Sequence, residues 1–182
     1  MRIYGNRSLK TVTGELTRPT TSRVREALFN MWREDLDNCH WLDLCAGNGT
    51  MGAEALCRGA KLVVGIEKYG KACSVIEQNW QMVATSEQEY RVIRGDVVAG
   101  LGKLGGVKFA RIYFDPPYES GLYLPVLQRL GRGEILSPSG EIAVEHDRKS
   151  WQASEIEGLE LIRQKSYGNT ELSFYTLDTK VN

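Results

Sequence analysis

Trp41-Leu42-Asp43-Leu44-Cys45-Ala46-Gly47-Asn48-Gly49-Thr50-Met51-Gly52 runs a short apolar strand into a glycine-spaced turn and then into the start of a helix. The turn satisfies G-x-G-x-x-G in the strand–turn–helix context that gives the pattern meaning. Further along, the chain alternates short apolar runs with longer stretches of helical period. Strands are expected at Leu62–Ile66, Tyr90–Ile93, Arg111–Phe114 and Glu141–Glu145. Helices are expected over Thr50–Arg58, over about Lys71–Ala84, where Val75, Ile76, Asn79, Trp80 and Val83 keep a 3.6-residue period, and near Pro125–Leu130, ending at Gly131. That order implies an α/β, Rossmann-like domain with a mostly parallel sheet covered on both faces.

The ends of the chain read differently. A turn is expected at Ser137-Pro138-Ser139-Gly140. Two β-like runs, Leu159–Arg163 and Leu172–Leu177, are separated by eight residues, too few for a helical crossover, so they should pair antiparallel as a C-terminal hairpin and bring the sheet to seven strands. Before the sheet, Met1–Leu16 reads as a small hairpin or arm, and the N-cap candidates of Arg18-Pro19-Thr20-Thr21-Ser22 lead into a helix expected over Ser22–Arg33, with Ser22 able to cap it. The expected organisation is a basic N-terminal arm and helix over 1–33, followed by the main domain over 34–182.

The 182 residues are 42% hydrophobic and 25% charged, enough for one buried core. No apolar run approaches the roughly 18–20 residues needed to cross a bilayer, and no signal-like segment opens the chain, so a soluble, cytoplasmic protein with no membrane partner is expected. Cys39, Cys45, Cys57 and Cys73 form no Cys-x-x-Cys pair, and His40 and His146 fall in unrelated segments, which points to buried thiols and metal-free chemistry. The formal net charge is zero, yet residues 1–33 hold seven basic side chains against two acidic ones. A basic edge of this kind suits a polyanionic partner met by Arg18, Arg23 and Arg25.

Asp43 separates this chain from dinucleotide enzymes. A carboxylate four residues before Gly47 would repel a pyrophosphate, whereas it would attract the ammonium of a methionine moiety. S-adenosylmethionine carries that ammonium and a sulfonium and has no phosphate. The glycine-rich turn then serves close backbone approach. Glu67, ending the second core strand, is placed to take the ribose hydroxyls, and Asp96, after the third, to accept from the adenine amine or to cap a helix. Cys45, Ala46, Gly47, Asn48, Gly49, Lys68 and Val97 complete the expected cofactor site. The fold expected is therefore that of the class I S-adenosylmethionine-dependent methyltransferases.

Asp115-Pro116-Pro117-Tyr118 ends the fourth core strand, at the carboxyl edge of the sheet. An exocyclic amine on an aromatic ring is a poor nucleophile because its lone pair is delocalised. If its N–H groups donate to the Asp115 carboxylate and the Pro116 carbonyl, the nitrogen is held towards a tetrahedral geometry that frees the lone pair. Tandem proline, Pro116 and Pro117, fixes φ and removes competing donors. Tyr118 can stack on the base, an interaction typically worth about 1–3 kcal/mol.

With these residues in hand, the chain resembles the bacterial RsmD-type family that methylates a guanine N2 amine in small-subunit (16S) ribosomal RNA. The resemblance is carried by Met1-Arg2-Ile3, Arg18-Pro19-Thr20, Arg23-Val24-Arg25-Glu26-Ala27-Leu28-Phe29-Asn30, Leu42-Asp43-Leu44-Cys45-Ala46-Gly47, Glu54-Ala55-Leu56, Arg58-Gly59-Ala60, Asp115-Pro116-Pro117-Tyr118 and Tyr167-Gly168-Asn169-Thr170. It departs from the family at Ser22, usually Asp, at Cys45, usually aromatic, and at Asn48, often Ser. The resemblance implies a flipped or unpaired base, ribosomal RNA within an assembling small subunit as partner, an RNA surface that includes Thr20, Tyr167, Asn169 and Thr170, and a monomeric enzyme. Competing readings are an adenine-N6 methyltransferase on DNA or RNA, a protein-glutamine methyltransferase, a dinucleotide oxidoreductase, and a non-catalytic RNA-binding assembly factor.

Overall fold

The computed structural model describes residues 1–11 and 20–179, and in it the strand that carries Asp43 runs through the middle of a seven-stranded sheet. Chain order gives β1 (Arg2–Ile3) and β2 (Arg7–Ser8), a two-stranded antiparallel hairpin, and then the sheet strands β3 (His40–Leu44), β4 (Leu62–Glu67), β5 (Glu89–Arg94), β6 (Phe109–Phe114), β7 (Leu136–Asp147), β8 (Leu159–Tyr167) and β9 (Thr170–Leu177). Their spatial order is β5-β4-β3-β6-β7-β9-β8. The first five are parallel, and β9 pairs antiparallel with both β7 and β8.

Alternation along each strand divides the core into two layers. Trp41, Val63, Tyr113, Ala143 and Phe174 pack on α1 (Ser22–Met31), α2 (Thr50–Cys57) and α3 (Gly70–Val83). Leu42, Leu44, Ile66, Ile112, Phe114 and Val144 face the other way, against α4 (Val97–Leu101) and α5 (Tyr123–Gly131). Burial of both sheet faces explains why these strands read as nearly continuous apolar runs.

The described part of the N-terminal segment shares this core. Phe29 stacks on Trp41 with ring centroids 5.2 Å apart, Trp32 meets the same indole edge-on at 5.5 Å, and the Trp32 Nε1–H donates to Glu141 at 2.9 Å. The boundary expected after residue 33 therefore does not separate two cores. Glu54 of α2 fastens the arm: its carboxylate pairs with Arg25 at 3.3 Å and Arg58 at 2.8 Å and accepts from the Tyr4 N–H at 3.1 Å.

Three sequence expectations are corrected. Thr21, not Ser22, caps α1, its side chain accepting from the Val24 N–H at 3.4 Å. Ser137–Gly140 does not end a strand; it bulges out within β7, between the pairs Phe109↔Leu136 and Arg111↔Glu141, where Pro138 has no ladder bond to give. β8 runs on to Tyr167 and β9 begins at Thr170, so Gly168 and Asn169 alone join them in place of the expected eight residues. The missed part of β8 is an edge strand whose side chains are mostly exposed, so it carries little apolar alternation to read. Among the described residues no helix is long and apolar enough to cross a membrane.

Candidate active site

The carboxyl ends of β3, β4, β5 and β6 open on one edge, and the winding reverses between β3 and β6, the place where open α/β sheets leave a crevice. A cavity of about 530 Å³ occupies it. Asp43, Cys45, Ala46, Gly47 and Asn48 line one part together with Glu67, Lys68, Asp96 and Val97; Asp115, Pro116, Pro117 and Tyr118 line another.

The turn after β3 is held in shape by its own backbone and by Glu67. Cys45, Gly47 and Gly49 all have positive φ, at 61°, 58° and 73°. Glu67 accepts from the Gly47 N–H at 2.8 Å through one carboxylate oxygen and from the Tyr69 N–H at 2.9 Å through the other, so it ties the turn to the end of β4. Gly49 was expected among the cofactor residues but does not line the cavity; a Cβ there would meet Trp80 Nε1 at 2.8 Å, and at Gly52 the Trp80 ring at 2.3 Å. These two glycines make room for Trp80, whose Nε1–H donates to the Gly49 carbonyl at 2.8 Å.

Asp43 is 1% exposed and accepts from the Gly52 N–H at 3.0 Å. Burial pushes its carboxyl up to about 8, against the pull of that N–H. An ammonium brought beside it would restore the ionised form. Cys45 is held firmly as the thiol, first by burial and then by Glu67 and Asp115 nearby. Asp96 caps α4, its Oδ1 accepting from the Val98 N–H at 2.9 Å and the Ala99 N–H at 3.3 Å. It remains exposed on the cavity wall.

Asp115 directly follows β6, its N–H donating to the Leu44 carbonyl at 3.4 Å across the switch point. The Pro117 carbonyl accepts from the Ser120 N–H at 2.9 Å, closing the tetrapeptide as a turn. The adjoining wall comes from residues that motif reading passed over. Tyr113 is 2% exposed and donates to the buried Glu145 carboxylate, while Thr20 Oγ1 lies 2.9 Å from the Tyr113 hydroxyl and 3.5 Å from Asp115 Oδ2. Glu145 ends a parallel strand at the same edge, and that position was the available signal. Tyr69, exposed at the cavity wall, followed the Glu67-Lys68 pair and was also overlooked.

The expected RNA-facing residues scatter. Thr20 and Thr170 are part of the cavity lining itself. Arg23 is exposed, with its guanidinium 6.0 Å from the Tyr167 ring, and Asn169 is exposed in the turn beside Thr170. Arg25 is corrected: it is 4% exposed, paired with Glu54, and donates to the Arg2 carbonyl at 2.9 Å, so it cannot reach a phosphate without unfolding the arm. Arg18 lies outside the described residues.

Comparison with known proteins agrees with this geometry. The family described as Conserved hypothetical protein 95 matches residues 1–176. The chain is 33% identical over 171 residues to the Bacillus subtilis protein named "Putative rRNA methyltransferase YlbH", covering 93% of this chain and 92% of that one. It is 28% identical to ribosomal RNA small subunit methyltransferase D of Haemophilus influenzae, over 95% of this chain and 90% of the relative. Among solved structures it superposes on "Putative methyltransferase yhhF" from Escherichia coli with a TM-score of 0.84 and 27% identity, covering 98% of each chain. The sheet order and the crevice at its switch point are those of a class I S-adenosylmethionine-dependent methyltransferase fold, and with a family match that runs from the β1–β2 hairpin into the last strand, the chain belongs to Conserved hypothetical protein 95, the family of the RsmD-type methyltransferases.

Proposed function

We propose that this chain transfers a methyl group from S-adenosylmethionine to the exocyclic N2 amine of a guanine in small-subunit (16S) ribosomal RNA. The observation that carries the reading is the charge of the cavity. Among its described lining residues, Asp43, Glu67, Asp96, Asp115 and Glu145 are acidic and Lys68 alone is basic. Such a wall repels a pyrophosphate and suits a cationic ligand, which favours the methyl donor over a dinucleotide. When bound, S-adenosylmethionine supplies an electrophilic methyl group on its sulfonium. Asp43 would face the ammonium, Glu67 the ribose, and Asp96 with Val97 the adenine edge.

Asp115 and the Pro116 carbonyl then hold the amine, and Tyr118 stacks on the base. Binding that is stronger in the transition state than in the ground state raises turnover, and orientation of a delocalised lone pair is of that kind. The names of the relatives support RNA of the small ribosomal subunit as substrate. We assign the work to the cytoplasm, on an assembling subunit, by a monomer, with Arg18, Arg23, Tyr167 and Asn169 towards the RNA.

The test is methyl transfer to small-subunit ribosomal RNA, with the modified base identified by mass spectrometry. N2-methylguanine from the wild type, and its loss in Asp115→Ala with cofactor affinity kept, is the expected result. A product methylated at adenine N6 would select that reading instead, and no methylated base in RNA or in assembling particles would refute the proposal.

A further inference from the structure

Behind the tetrapeptide, four oxygen-bearing side chains form one line: Asp115, Thr20, Tyr113 and Glu145. The hydrogen-bond directions in that line follow from a count of protons. The Tyr113 hydroxyl donates to the Glu145 carboxylate. Burial, and then Glu145 itself, raise the phenol well above its ordinary range, so it keeps that proton. With its hydrogen committed to Glu145, the Tyr113 oxygen can only accept. Thr20 has a single hydroxyl hydrogen, 2.9 Å from the Tyr113 oxygen by heavy-atom distance against 3.5 Å to Asp115, and the shorter bond takes it. The face that Thr20 turns to Asp115 is then a lone pair.

Resting on the function proposed above, we infer that Thr20, Tyr113 and Glu145 are positioning residues that orient Asp115 and prime it to take the proton released by the methylated amine. The line is complete only when Asp115 carries a proton, because Asp115 can then donate to Thr20, Thr20 to Tyr113, and Tyr113 to Glu145. In the step itself the N–H bond of the methylated amine breaks, its electron pair stays on nitrogen, and an O–H bond forms on Asp115. Handing the proton on makes one O–H bond at each hydroxyl as another breaks, and it ends on Glu145, so both hydroxyls finish as they began. Thr20 thereby acts within the active site and not only at an RNA surface.

The charged and titratable groups facing Asp115 are Cys45 beyond the end of β3, Tyr113 on β6, Tyr118 in the tetrapeptide, Tyr123 on α5 and Glu145 on β7. Tyr113→Phe keeps the ring and deletes the acceptor that holds the Thr20 hydrogen. Thr20 is then released to donate to Asp115, which favours the carboxylate. Carbon-13 NMR of labelled aspartate carboxyls, with Asp115 assigned by its substitution, reads this in the protein without substrate. The Asp115 midpoint should fall by about one pH unit in Tyr113→Phe, the direction of an added hydrogen bond to the charged form.

In single-turnover assays, Tyr113→Phe and Thr20→Val should lose on the order of 10²-fold in rate, as small misplacements of a reacting group do, with cofactor affinity and substrate KM nearly unchanged. Thr20→Ser should restore the rate. A midpoint that stays or rises in Tyr113→Phe, or full transfer by Thr20→Val, overturns the inference; so does a loss that Thr20→Ser fails to repair. If the wild type methylates no RNA, the proposed function fails, and the NMR midpoint still decides the direction of the line.

Discussion

Asp43 offers a test of the cofactor assignment that needs no RNA. Its carboxyl is buried, bonded to one N–H, and pushed up to about 8. At pH 7 such a group holds about 0.9 of a proton. An ammonium seated beside it requires the charged form, so binding of S-adenosylmethionine should release nearly that fraction into the buffer. Calorimetry at pH 7 in two buffers of different ionisation enthalpy measures the release directly. Affinity should also rise close to tenfold per pH unit between about pH 5 and pH 7, because binding is linked to the loss of one proton. Asp43→Asn should abolish the release and weaken binding at the same time.

The same shift acts on stability with a definite sign. The unfolded chain gives up this proton near the ordinary 3.8 and the folded chain near 8, so between those values the folded state holds more protons and stability falls as pH rises. Asp43→Asn should remove that slope and leave the ligand-free protein more stable than the wild type at pH 8. Binding enthalpies that agree between buffers, with affinity flat across the pH range, would refute the placement of Asp43 beside a cation.

Three further outcomes follow from the packing. Glu54→Ala leaves the Arg25 guanidinium buried without its partner, and urea denaturation should show a loss of about 3–5 kcal/mol, the usual effect of breaking a buried pair. Arg23→Ala should lower the slope of log affinity for RNA against log salt by about 1, while Arg25→Ala reduces stability and leaves that slope alone. Gly52→Ala drives a methyl group into the Trp80 ring, 2.3 Å from the ideal Cβ, and should cost about 1–3 kcal/mol as overpacking, read as a drop in thermal midpoint.

The parallel strands were legible because each is covered on both faces and so carries its apolar residues without interruption; β6, from Phe109 to Phe114, has five of its six side chains buried. The edge was less legible for the opposite reason, since Gln164, Lys165 and Ser166 of β8 face solvent and resemble a loop. At the site, Asp43, Glu67 and Asp115 could be read because each ends a recognisable strand in a motif. Arg25 was misread because charge says nothing of burial: its partner Glu54 lies 29 positions away in sequence, on another helix. Tyr113 and Glu145 lie on apolar-looking strands, and their bond joins β6 to β7 across 32 positions, a pairing that local pattern does not reveal.

One indole sits against the cofactor turn, the helix behind it and the neighbouring strand. A Cβ at Gly49, Gly52 or Gly65 would come within 2.8, 2.3 and 2.6 Å of Trp80 respectively. In the family's history these four positions are bound to vary as a set. A lineage that shrinks residue 80 releases 52 and 65 to larger side chains together, while 49, fixed by its positive φ as well as by the ring, stays restricted to residues that tolerate a left-handed backbone. Co-variation between 80, 52 and 65, with 49 held apart, would be the mark of that single wedge in an alignment.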